Sequence, residues 1–466
     1  MDTTITRLSE DRIKAGQSGL LLVADSFDAF ATRILTARAA TRSLDLMYYI
    51  WHDDQTGRLL LQEVVRAAER GVKVRMLLDD INPRASDAAY MALNNHPNIE
   101  LKLFNPSSLR NGNIFRPLEL VSRMFALTRR MHTKAWIADG SVAIVGGRNI
   151  GDAYFDAADT NFRDLDLLLL GPAVDQTAGI FEAYWNCTAA RPIHLLHAVN
   201  AGKHGDIAGH IEAQGELLTP LGDRQSIAEF IAARSDMYWT NKVRVIADPP
   251  EKVTGRRKRN WLMKELMPII QKAAKSLEIV SPYFIPGRVG CNVLRELTQR
   301  GVIVAVLTNS LAATDVAAVH GAYSNYRRRL LRYGVKLFEL QPFDGRRDLS
   351  VFGSKGASLH TKAFAVDDRI GFVGSFNFDP RSVSLNSEMG VLFEDQNLVA
   401  ELRRRFELEK SPATSYRVFL DRHGMLGWEG ENDDGEIQHV SHEPEAGIFR
   451  RLIAGVVRWL PIESQL

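Results

Sequence analysis

The chain has 466 residues, enough for two domains that each bury a core, and its hydrophobic content of 45% is ordinary for a soluble globular protein. Its 58 Lys and Arg residues and 56 Asp and Glu residues leave a net charge of +2, which excludes the global cationic field that dominates nonspecific DNA binding. The two cysteines match neither a disulfide framework nor a metal-ligand spacing, and the polar first residues lack the apolar core of a secretory signal. No stretch of about 18 apolar residues follows, so we expect a cytoplasmic protein that does not span a membrane.

The first half of the chain contains a βαβ pattern. Apolar and aromatic residues from Ser43 to Trp51 predict a strand, residues 57–71 have helical spacing, and residues 72–80 predict a second strand. A further short strand, Ile99 to Pro106, leads towards the segment MHTKAWIADGSVAIVGGRNIGD at residues 131–152. These elements predict an α/β domain that ends in a polar motif.

The second half repeats this order. Strand-like residues from Ser276 to Phe284 precede a helical segment at 292–301 and strands at 302–310 and 335–342, and LHTKAFAVDDRIGFVGSFNFDP follows at 359–380. Ser43 precedes the first motif histidine by 89 positions, and Ser276 precedes the second by 84. A repeat of this length predicts two similar domains, residues 1–225 and 226–466, rather than a solenoid. It also favours two half-sites that face each other.

Each motif carries a histidine and a lysine two positions apart, His132 with Lys134 and His360 with Lys362. Alternate side chains of a β-strand point to the same face, so each pair is expected to share one pocket. An aspartate five positions after each lysine, Asp139 or Asp367, opens the turn of a hairpin. We expect both aspartates to hold the hairpin rather than to contact a substrate.

Further polar residues recur after each hairpin. The returning strand ends at a small residue and an asparagine, which are Gly147 and Asn149 in the first half and Ser375 and Asn377 in the second. The amides are expected to donate hydrogen bonds to an oxyanion, and the small residues permit its close approach. A carboxylate follows in each half, Asp164 or Glu388. We expect it to accept from an imidazole N–H, which fixes the tautomer and raises the basicity of the ring.

An isolated histidine–lysine pair is common on a solvated strand edge, but two full copies of the pattern are not explained in that way. Unpartnered polar groups buried among apolar strands cost about 1–3 kcal/mol each. Two copies of H-x-K-x-x-x-x-D followed by G-G/S-x-N resemble the phospholipase D superfamily over nearly the whole chain. The segments GGRNIGDAYF and LNSEMG are most similar to cardiolipin synthases of the bacterial C type.

The resemblance implies an α/β fold with two duplicated α/β/α sandwich halves, which form a pseudo-dimer with one active site between them. It also implies that one histidine attacks a phosphodiester phosphorus to form a phosphohistidine, while the other protonates the leaving oxygen. By this analogy His132 is the nucleophile and His360 is the acid and then the base, although the sequence itself is nearly symmetric. A single imidazole cannot be both an unprotonated nucleophile and a protonated acid, whereas two imidazoles can each take one of these states.

The repeated motifs contain cationic and amide groups of their own. Lys134, Lys362 and the two motif asparagines are expected to stabilise negative charge on the nonbridging phosphate oxygens, a task often given to a divalent metal. We therefore expect no catalytic metal and no cofactor.

Two amphipathic segments predict where a lipid is met. Residues 110–130 mix apolar side chains with arginines, and the last twenty residues space apolar side chains at helical intervals between arginines, namely Phe449, Leu452, Ile453, Val456 and Trp459. Each segment fits either an anionic bilayer or the protein's own core, and the resemblance favours the bilayer. The basic run at 255–260 is more typical of a solvated loop than of a lipid site. His320 lies on a predicted basic helix, for which a solvated surface is favoured over a headgroup site.

The function implied by the resemblance is a phosphatidyltransferase of cardiolipin synthase type. Its partners are expected to be phospholipid substrates and an anionic membrane surface, with no nucleic acid, and its location peripheral on the cytoplasmic side of the inner membrane. The oligomeric state stays open. The nearest alternative is a phospholipase D that hydrolyses phospholipids to phosphatidic acid. A nucleic-acid phosphodiesterase fits the near-neutral charge less well, and a catalytically silent scaffold does not fit two intact motifs.

Overall fold

Two mixed β-sheets, one for each half of the chain, form the framework of the protein. The structure, a computed structural model, describes residues 10–81, 87–106, 129–196, 227–232, 237–254, 261–342, 356–432 and 434–458. The strands are β1 Ser18–Val23, β2 Ser43–Tyr48, β3 Lys73–Asp79, β4 Ile99–Phe104, β5 Ala135–Ala138, β6 Val142–Gly146, β7 Thr160–Arg163, β8 Asp166–Leu170, β9 Ala190–Pro192, β10 Tyr238–Thr240, β11 Val243–Ala247, β12 Ser276–Val280, β13 Ile303–Asn309, β14 Lys336–Leu340, β15 Gly356–Leu359, β16 Ala363–Val366, β17 Ile370–Gly374, β18 Met389–Glu394, β19 Ser415–Leu420, β20 Leu426–Glu431 and β21 Ile437–Val440. The helices are α1 Ser26–Ala39, α2 Gln55–Glu69, α3 Asp87–Asn94, α4 Pro172–Trp185, α5 Ile227–Ala232, α6 Glu251–Thr254, α7 Trp261–Gln271, α8 Gly287–Gln299, α9 Ala317–Arg332, α10 Pro380–Ser384, α11 Gln396–Glu409 and α12 Ile448–Val457.

The two sheets share one topology. The first has the strand order β10-β1-β8-β6-β5-β2-β3-β4-β9, and the second β11-β18-β17-β16-β12-β13-β14-β19-β20-β21. The strands from β1 to β9 in the first order match those from β11 to β19 in the second, and β2-β3-β4 and β12-β13-β14 are the parallel parts. The predicted duplication is therefore confirmed.

The division between the halves lies later than residue 225. Strand β10 pairs with β1 of the first sheet, whereas β11 pairs with β18 of the second. The chain thus changes sheets between Thr240 and Val243, because the antiparallel pairing of β10 draws these residues back onto the first sheet.

A shared hydrophobic core joins the two halves. Alternation along β1 sends Leu21 and Val23 towards α1 and α2, and Leu20 towards the opposite face. On that face, side chains of both sheets pack with those of α4 and α11, such as Phe181 and Leu402, in one buried cluster. The halves are therefore associated like the two subunits of a dimer.

The two predicted hairpins are present. Strand β5 pairs with β6 and β16 with β17, in each case across a three-residue turn. The turns open at Asp139 and Asp367, whose φ angles are 53° and 52°. This left-handed conformation is one that aspartate tolerates better than most residues, because its short side chain can hydrogen-bond locally.

The C-terminal helix α12 packs on α9. Its contact residue is Ala454, which is buried, and a Cβ atom placed on Gly321 of α9 would lie 2.7 Å from the Ala454 carbonyl oxygen. A glycine is therefore needed at this crossing. Within the described ranges, no helix combines the length and the apolar character that crossing a bilayer requires.

Candidate active site

The two motif histidines lie in extended segments directly before β5 and β16, not within a strand as the alternation suggested. Backbone from the opposite half holds each segment. The His132 N–H donates to the Ser387 carbonyl oxygen at 2.9 Å, and the His360 N–H donates to that of Arg163 at 2.7 Å. Beside His360, β15 pairs in parallel with β7 of the first half. Both histidines consequently stand at the seam between the halves.

Each histidine meets the carboxylate of the other half. Nδ1 of His132 lies 2.8 Å from Oε2 of Glu388, and Nδ1 of His360 lies 2.5 Å from Oδ2 of Asp164. Both carboxylates are buried. An N–H on Nδ1 that donates to the carboxylate leaves Nε2 of the same ring with its lone pair free for chemistry. The crossed pairing therefore fixes both rings through contacts between the halves.

Small residues support the two carboxylates. The Ser375 hydroxyl donates to Oε2 of Glu388 at 2.5 Å, and the Ser382 hydroxyl donates to Oε1 at 2.8 Å. At the corresponding place in the first half, a Cβ atom on Gly147 would lie 2.2 Å from Oδ1 of Asp164. The group that lies close to Gly147 is thus the Asp164 carboxylate, and the group that lies close to Ser375 is the Glu388 carboxylate. Each belongs to the same half as the small residue.

The motif lysines are buried beside the histidines. Lys134 and Lys362 are only 2% and 1% exposed. The Nζ atom of Lys134 donates to the carbonyl oxygen of His132 at 2.8 Å, and Lys362 makes the same contact with His360. Each lysine amine is therefore held by the backbone carbonyl oxygen of the histidine in its own motif.

Aromatic rings surround both imidazoles. The Tyr49 ring stands edge-on to His132 with 5.0 Å between centroids, and Nζ of Lys134 lies 5.3 Å from the centroid of Tyr49. Tyr154 and Phe162 contact His360 at 5.3 and 5.0 Å between centroids. These contacts restrict the rotation of both imidazoles and exclude water from their faces.

The two asparagines are not equivalent. Asn149 donates through Nδ2 to the Tyr154 hydroxyl at 2.8 Å, and its Oδ1 accepts from the Ile50 N–H at 3.3 Å. It therefore also supports the ring that packs on His360. Asn377 is 3% exposed, and its Oδ1 has no hydrogen-bond partner among the described residues. A buried amide oxygen without a partner is costly, which is the state expected of a group that a ligand completes.

The motif aspartates lie at the far end of their strands, away from the histidines. Asp139 accepts from the backbone N–H groups of Arg42 and Ser43, and Asp367 accepts from those of Lys275 and Ser276. Five residue steps along β5 or β16 separate them from the lysines, about 17 Å at 3.3 Å per residue. Their carboxylates therefore bind the chain before β2 and β12 and do not reach the pocket.

Electrostatics makes the two histidines unequal. Burial and the charges of Lys134, Lys362 and His360 hold the pKa of His132 well below its usual value. Burial and Lys362 also lower the pKa of His360, but the Asp164 carboxylate opposes them. Lys134 and Lys362 each lower the pKa of both histidines, so each imidazole is affected by the lysines of both motifs.

The pKa values of the two carboxylates, Glu388 and Asp164, also differ. Burial raises the pKa of Glu388 to about 7 against the opposing charge of Lys134. Burial by itself would raise the pKa of Asp164, but the charges of His360 and Lys362 outweigh this effect. The pKa of Asp164 therefore lies below its usual value. Burial also lowers the pKa of Lys362 to about 8. Asp164 thus opposes the lowering of the His360 pKa, whereas the pKa of His132 is held well below its usual value.

Among the described residues, one cluster has the composition of a metal site: His320, Glu339 and Glu443. Arg327 lies between the carboxylates, with Nη1 3.2 Å from Oε1 of Glu339 and Nη2 paired with Glu443. The guanidinium already neutralises this site, so the cluster fits a buried ion pair better than a cation centre. The expected solvated basic helix is wrong at these positions, because His320 and Arg327 on α9 are both 3% exposed.

Comparison with known proteins places the chain in a family. Residues 34–185 and 266–409 match the family described as cardiolipin synthase, PLD-like domain. Over 460 residues the chain is 39% identical to cardiolipin synthase C of Escherichia coli (strain K12), and the match covers 96% of each chain. The chain belongs to the PLD-like cardiolipin synthase family. The two matched ranges contain both members of each crossed histidine–carboxylate pair.

More distant members and folds agree with this assignment. A cardiolipin synthase of Staphylococcus aureus is 26% identical over 391 residues, which are 83% of this chain and 66% of that protein. The crystal structure of phosphatidylserine synthase from Haemophilus influenzae Rd KW20 covers 100% of both chains with a TM-score of 0.63 at 15% identity. At that identity the structural match establishes the shared fold.

Several residues around the site were not predicted. Tyr49, Tyr154, Phe162 and Ser382 contact an imidazole or its carboxylate, yet none belongs to the repeated pattern. Tyr49 lies just after β2, and the other three residues lie between a motif asparagine and the acid that follows it. These positions are the sequence signal from which the four residues could have been found. The repeated pattern also does not indicate that each histidine pairs with the acid of the opposite half. The paired histidine and acid are 256 positions apart in one pair and 196 in the other.

Some predictions fall on other parts of the chain. Most of the amphipathic segment 110–130, the basic run 255–260 and Trp459 lie outside the described residues. At the end of the first segment, Arg130 is buried and pairs with Asp79 at 3.2 Å. Both cysteines, Cys187 and Cys291, are free thiols.

Proposed function

We infer that the protein is a phosphatidyltransferase of cardiolipin synthase type, which moves a phosphatidyl group from one phospholipid to another through a phosphohistidine. Membership of the family and 39% identity to a cardiolipin synthase support the activity. The observation that supports the mechanism is the crossed pairing, in which each motif histidine binds the carboxylate of the opposite half at the seam. The substrates are phospholipids, so the enzyme acts as a peripheral protein on the cytoplasmic side of the inner membrane.

The first half-reaction forms the covalent intermediate. Nε2 of neutral His132 attacks the phosphorus, a nitrogen–phosphorus bond forms, and the bond from phosphorus to the leaving alcohol oxygen breaks. His360, protonated opposite ionised Asp164, donates its Nε2 proton to that oxygen. Burial lowers the pKa of both imidazoles, but the ionised Asp164 opposes this lowering at His360, which supports His360 as the acid and His132 as the nucleophile.

The second half-reaction resolves the intermediate. The hydroxyl group of an acceptor phospholipid gives its proton to the now neutral His360, and its oxygen attacks phosphorus as the bond to Nε2 of His132 breaks. Lys134, Lys362 and the side-chain N–H groups of Asn377, which are buried in the two motifs, would stabilise the nonbridging oxygens. Water in place of the lipid hydroxyl would make the protein a phospholipase D.

Trapping the intermediate tests the mechanism. The His360→Ala enzyme, supplied with a short-chain lipid ester of p-nitrophenol, should accumulate a covalent phosphatidyl group on His132, because this leaving group needs no acid while resolution needs the base. His132→Ala should accumulate none and lose transfer by at least about 10³-fold. His439→Ala, a change at an exposed histidine on β21, is the matched control and should transfer normally. A covalent adduct in the His132→Ala enzyme would refute the assignment of the nucleophile.

Product analysis tests the reaction type. Vesicles of phosphatidylglycerol should yield cardiolipin and glycerol, identified by mass spectrometry. Phosphatidic acid as the sole product at every phosphatidylglycerol content would identify a hydrolase. Faster cleavage of single-stranded DNA than of lipid would contradict the proposal altogether.

A further inference from the structure

A cationic cavity lies away from the catalytic histidines, between α9, α12 and the strands β20 and β21. Its volume is about 350 Å³, and its lining includes Ser324, Arg327, Arg328, Trp428, Arg451 and Arg458. Four arginines thus face one cavity, in which Glu443 is the carboxylate that also lines the wall.

Three of these arginines are not neutralised by a carboxylate in the described part of the chain. Arg328 donates to the Gly424 carbonyl oxygen, Arg451 to that of Glu443 at 2.9 Å, and Arg458 to the Asn325 side-chain oxygen at 3.1 Å. Arg327, in contrast, is paired with two glutamates. The cavity therefore carries an excess of positive charge that an anion would offset.

A buried histidine completes the wall of the cavity. His320 is 3% exposed and lines the cavity. Its Nδ1 lies 3.2 Å from the Asn309 carbonyl oxygen, and its Nε2 faces the Glu443 carboxylate, with 3.5 Å to the nearest oxygen. Glu443 is thus shared between His320 and Arg327, so it does not offset the charge of the other three arginines.

The outer face of α12 is apolar and exposed. With Ala454 packed against α9, the opposite side of the helix presents four large hydrophobic side chains, Ile448 (87% exposed), Phe449 (72%), Leu452 (62%) and Val456 (54%). At about 100° per residue these positions fall within one arc of roughly 100°. Arg451 and Arg458 are two turns apart on the flank of the same helix, beside the cavity.

The helix is attached to the edge of the sheet where the catalytic site lies. Arg450 donates to the carbonyl oxygens of Leu311 and Thr314, in the loop that follows β13. At the end of β13, Asn309 donates to the carbonyl oxygen of Leu359, the residue before His360. The C-terminal end of β13 therefore links the attachment of α12 to the residue that precedes His360.

We propose that α12 docks on the surface of an anionic phospholipid bilayer, and that the cavity beside it binds the phosphate of a lipid headgroup at a site separate from the catalytic one. Apolar side chains on one side of a helix with arginines at its flank match the boundary between acyl chains and anionic headgroups. This inference rests on the proposed function, because the phospholipid substrates of that reaction lie in the bilayer on which α12 would dock.

The apolar part is tested with acidic substitutions on α12. Binding to sedimented phosphatidylglycerol vesicles should fall at least tenfold in the Phe449→Glu/Leu452→Glu enzyme, and circular dichroism should be unchanged because both side chains are exposed. Ile303→Glu is the matched control, since Ile303 is 56% exposed at the opposite end of β13. It should bind within twofold of the parent. Unchanged binding of the double variant would overturn the role of α12.

The cationic part is tested on the same vesicles. Arg451→Glu/Arg458→Glu should weaken binding to phosphatidylglycerol vesicles at least tenfold but leave the residual binding to phosphatidylcholine vesicles unchanged. Arg332→Glu, at the far exposed end of α9, serves as the control for charge and should change binding less than twofold. Equal loss in this control would show a general charge effect and would overturn the cavity as the headgroup site.

A third arm separates a lipid headgroup from a soluble anion. Glycerol phosphate at millimolar concentration should change vesicle binding less than twofold, and complete competition by it would overturn the bilayer assignment. Vesicle binding is measured without turnover, so its retention in an enzyme that makes no cardiolipin would contradict the proposed function while leaving this inference intact.

Discussion

At Gly147 the chain leaves no room for a side chain, and at the corresponding Ser375 it uses a hydroxyl group to hold a carboxylate. Both residues contact the acid of their own half, which then reaches the histidine of the other half. The geometry of His360 thus depends on a residue that touches neither substrate nor imidazole. Such supporting contacts affect catalysis through orientation rather than through binding.

Gly147→Ala should displace the Asp164 carboxylate, because the new Cβ would lie 2.2 Å from its Oδ1. We expect kcat to fall about 10- to 100-fold with little change in KM, and the free energy of unfolding to fall by about 1–3 kcal/mol. Steady-state kinetics and urea unfolding measure the two effects. Gly179→Ala on α4, where a Cβ meets nothing within 4 Å, is the control and should keep full activity. A Gly147→Ala enzyme with normal kcat would contradict the supporting role of this contact.

At the scale of elements, the decisive pieces are the extended segments before β5 and β16, which pair across the halves. The segment before β16 is held from both sides, by β7 and by Asn309 at the end of β13. Asn309 accepts from the Leu359 N–H at 2.8 Å and donates to the Leu359 carbonyl oxygen at 2.9 Å. One side chain therefore takes the place of a neighbouring strand directly before His360.

Asn309→Ala should release this segment, because two backbone groups of Leu359 lose their buried partner, at about 1–3 kcal/mol each. We expect lower stability and a fall in kcat that exceeds any change in KM. Asn309→Asp, which keeps the acceptor and loses the donor, should have an intermediate effect. Equal kcat values in the parent and the alanine variant would show that β7 by itself positions His360.

At the scale of the whole molecule, the site concentrates buried charge at the interface of the halves. Burial raises the pKa values of Asp79, Asp379 and Glu388 to about 7 each. A carboxyl group whose folded pKa is raised stabilises the fold at low pH, and this contribution is lost as pH rises through the folded pKa. The lowered pKa values of His132, His360, Lys134 and Lys362 act in the opposite sense, because a base whose folded pKa is lowered destabilises the fold less as pH rises towards its ordinary pKa.

Glu388 by itself should therefore lower the free energy of unfolding by on the order of 1 kcal/mol between pH 6.5 and pH 8. Because the buried bases act in the opposite sense, this contribution is measured as a difference between two enzymes by urea unfolding at these two pH values. The change from pH 6.5 to pH 8 should be more positive in Glu388→Gln than in the parent by that amount, whereas Glu296→Gln on the exposed face of α8 should match the parent. The same change in the parent and in Glu388→Gln would contradict the raised pKa of Glu388.

Much of the protein was determined by local sequence patterns. The apolar alternation of the strands, the aspartate turns and the repeated order of elements predicted two α/β halves with corresponding motifs, because strand and hairpin formation depends on residues close in the chain. The histidines, lysines and acids of the site were identified for the same reason, since the repeat displays them twice.

The tertiary structure decided which residues meet. It paired His132 with Glu388 and His360 with Asp164, separated the motif aspartates from the pocket, and brought Tyr49, Tyr154 and Asn309 into the site. It also placed the apolar face of α12 outwards rather than against the core. These outcomes depend on contacts between residues far apart in the chain, and a repeated sequence is equally compatible with pairing within a half or across halves. The packing of both sheets into one shared core is what selects the crossed arrangement.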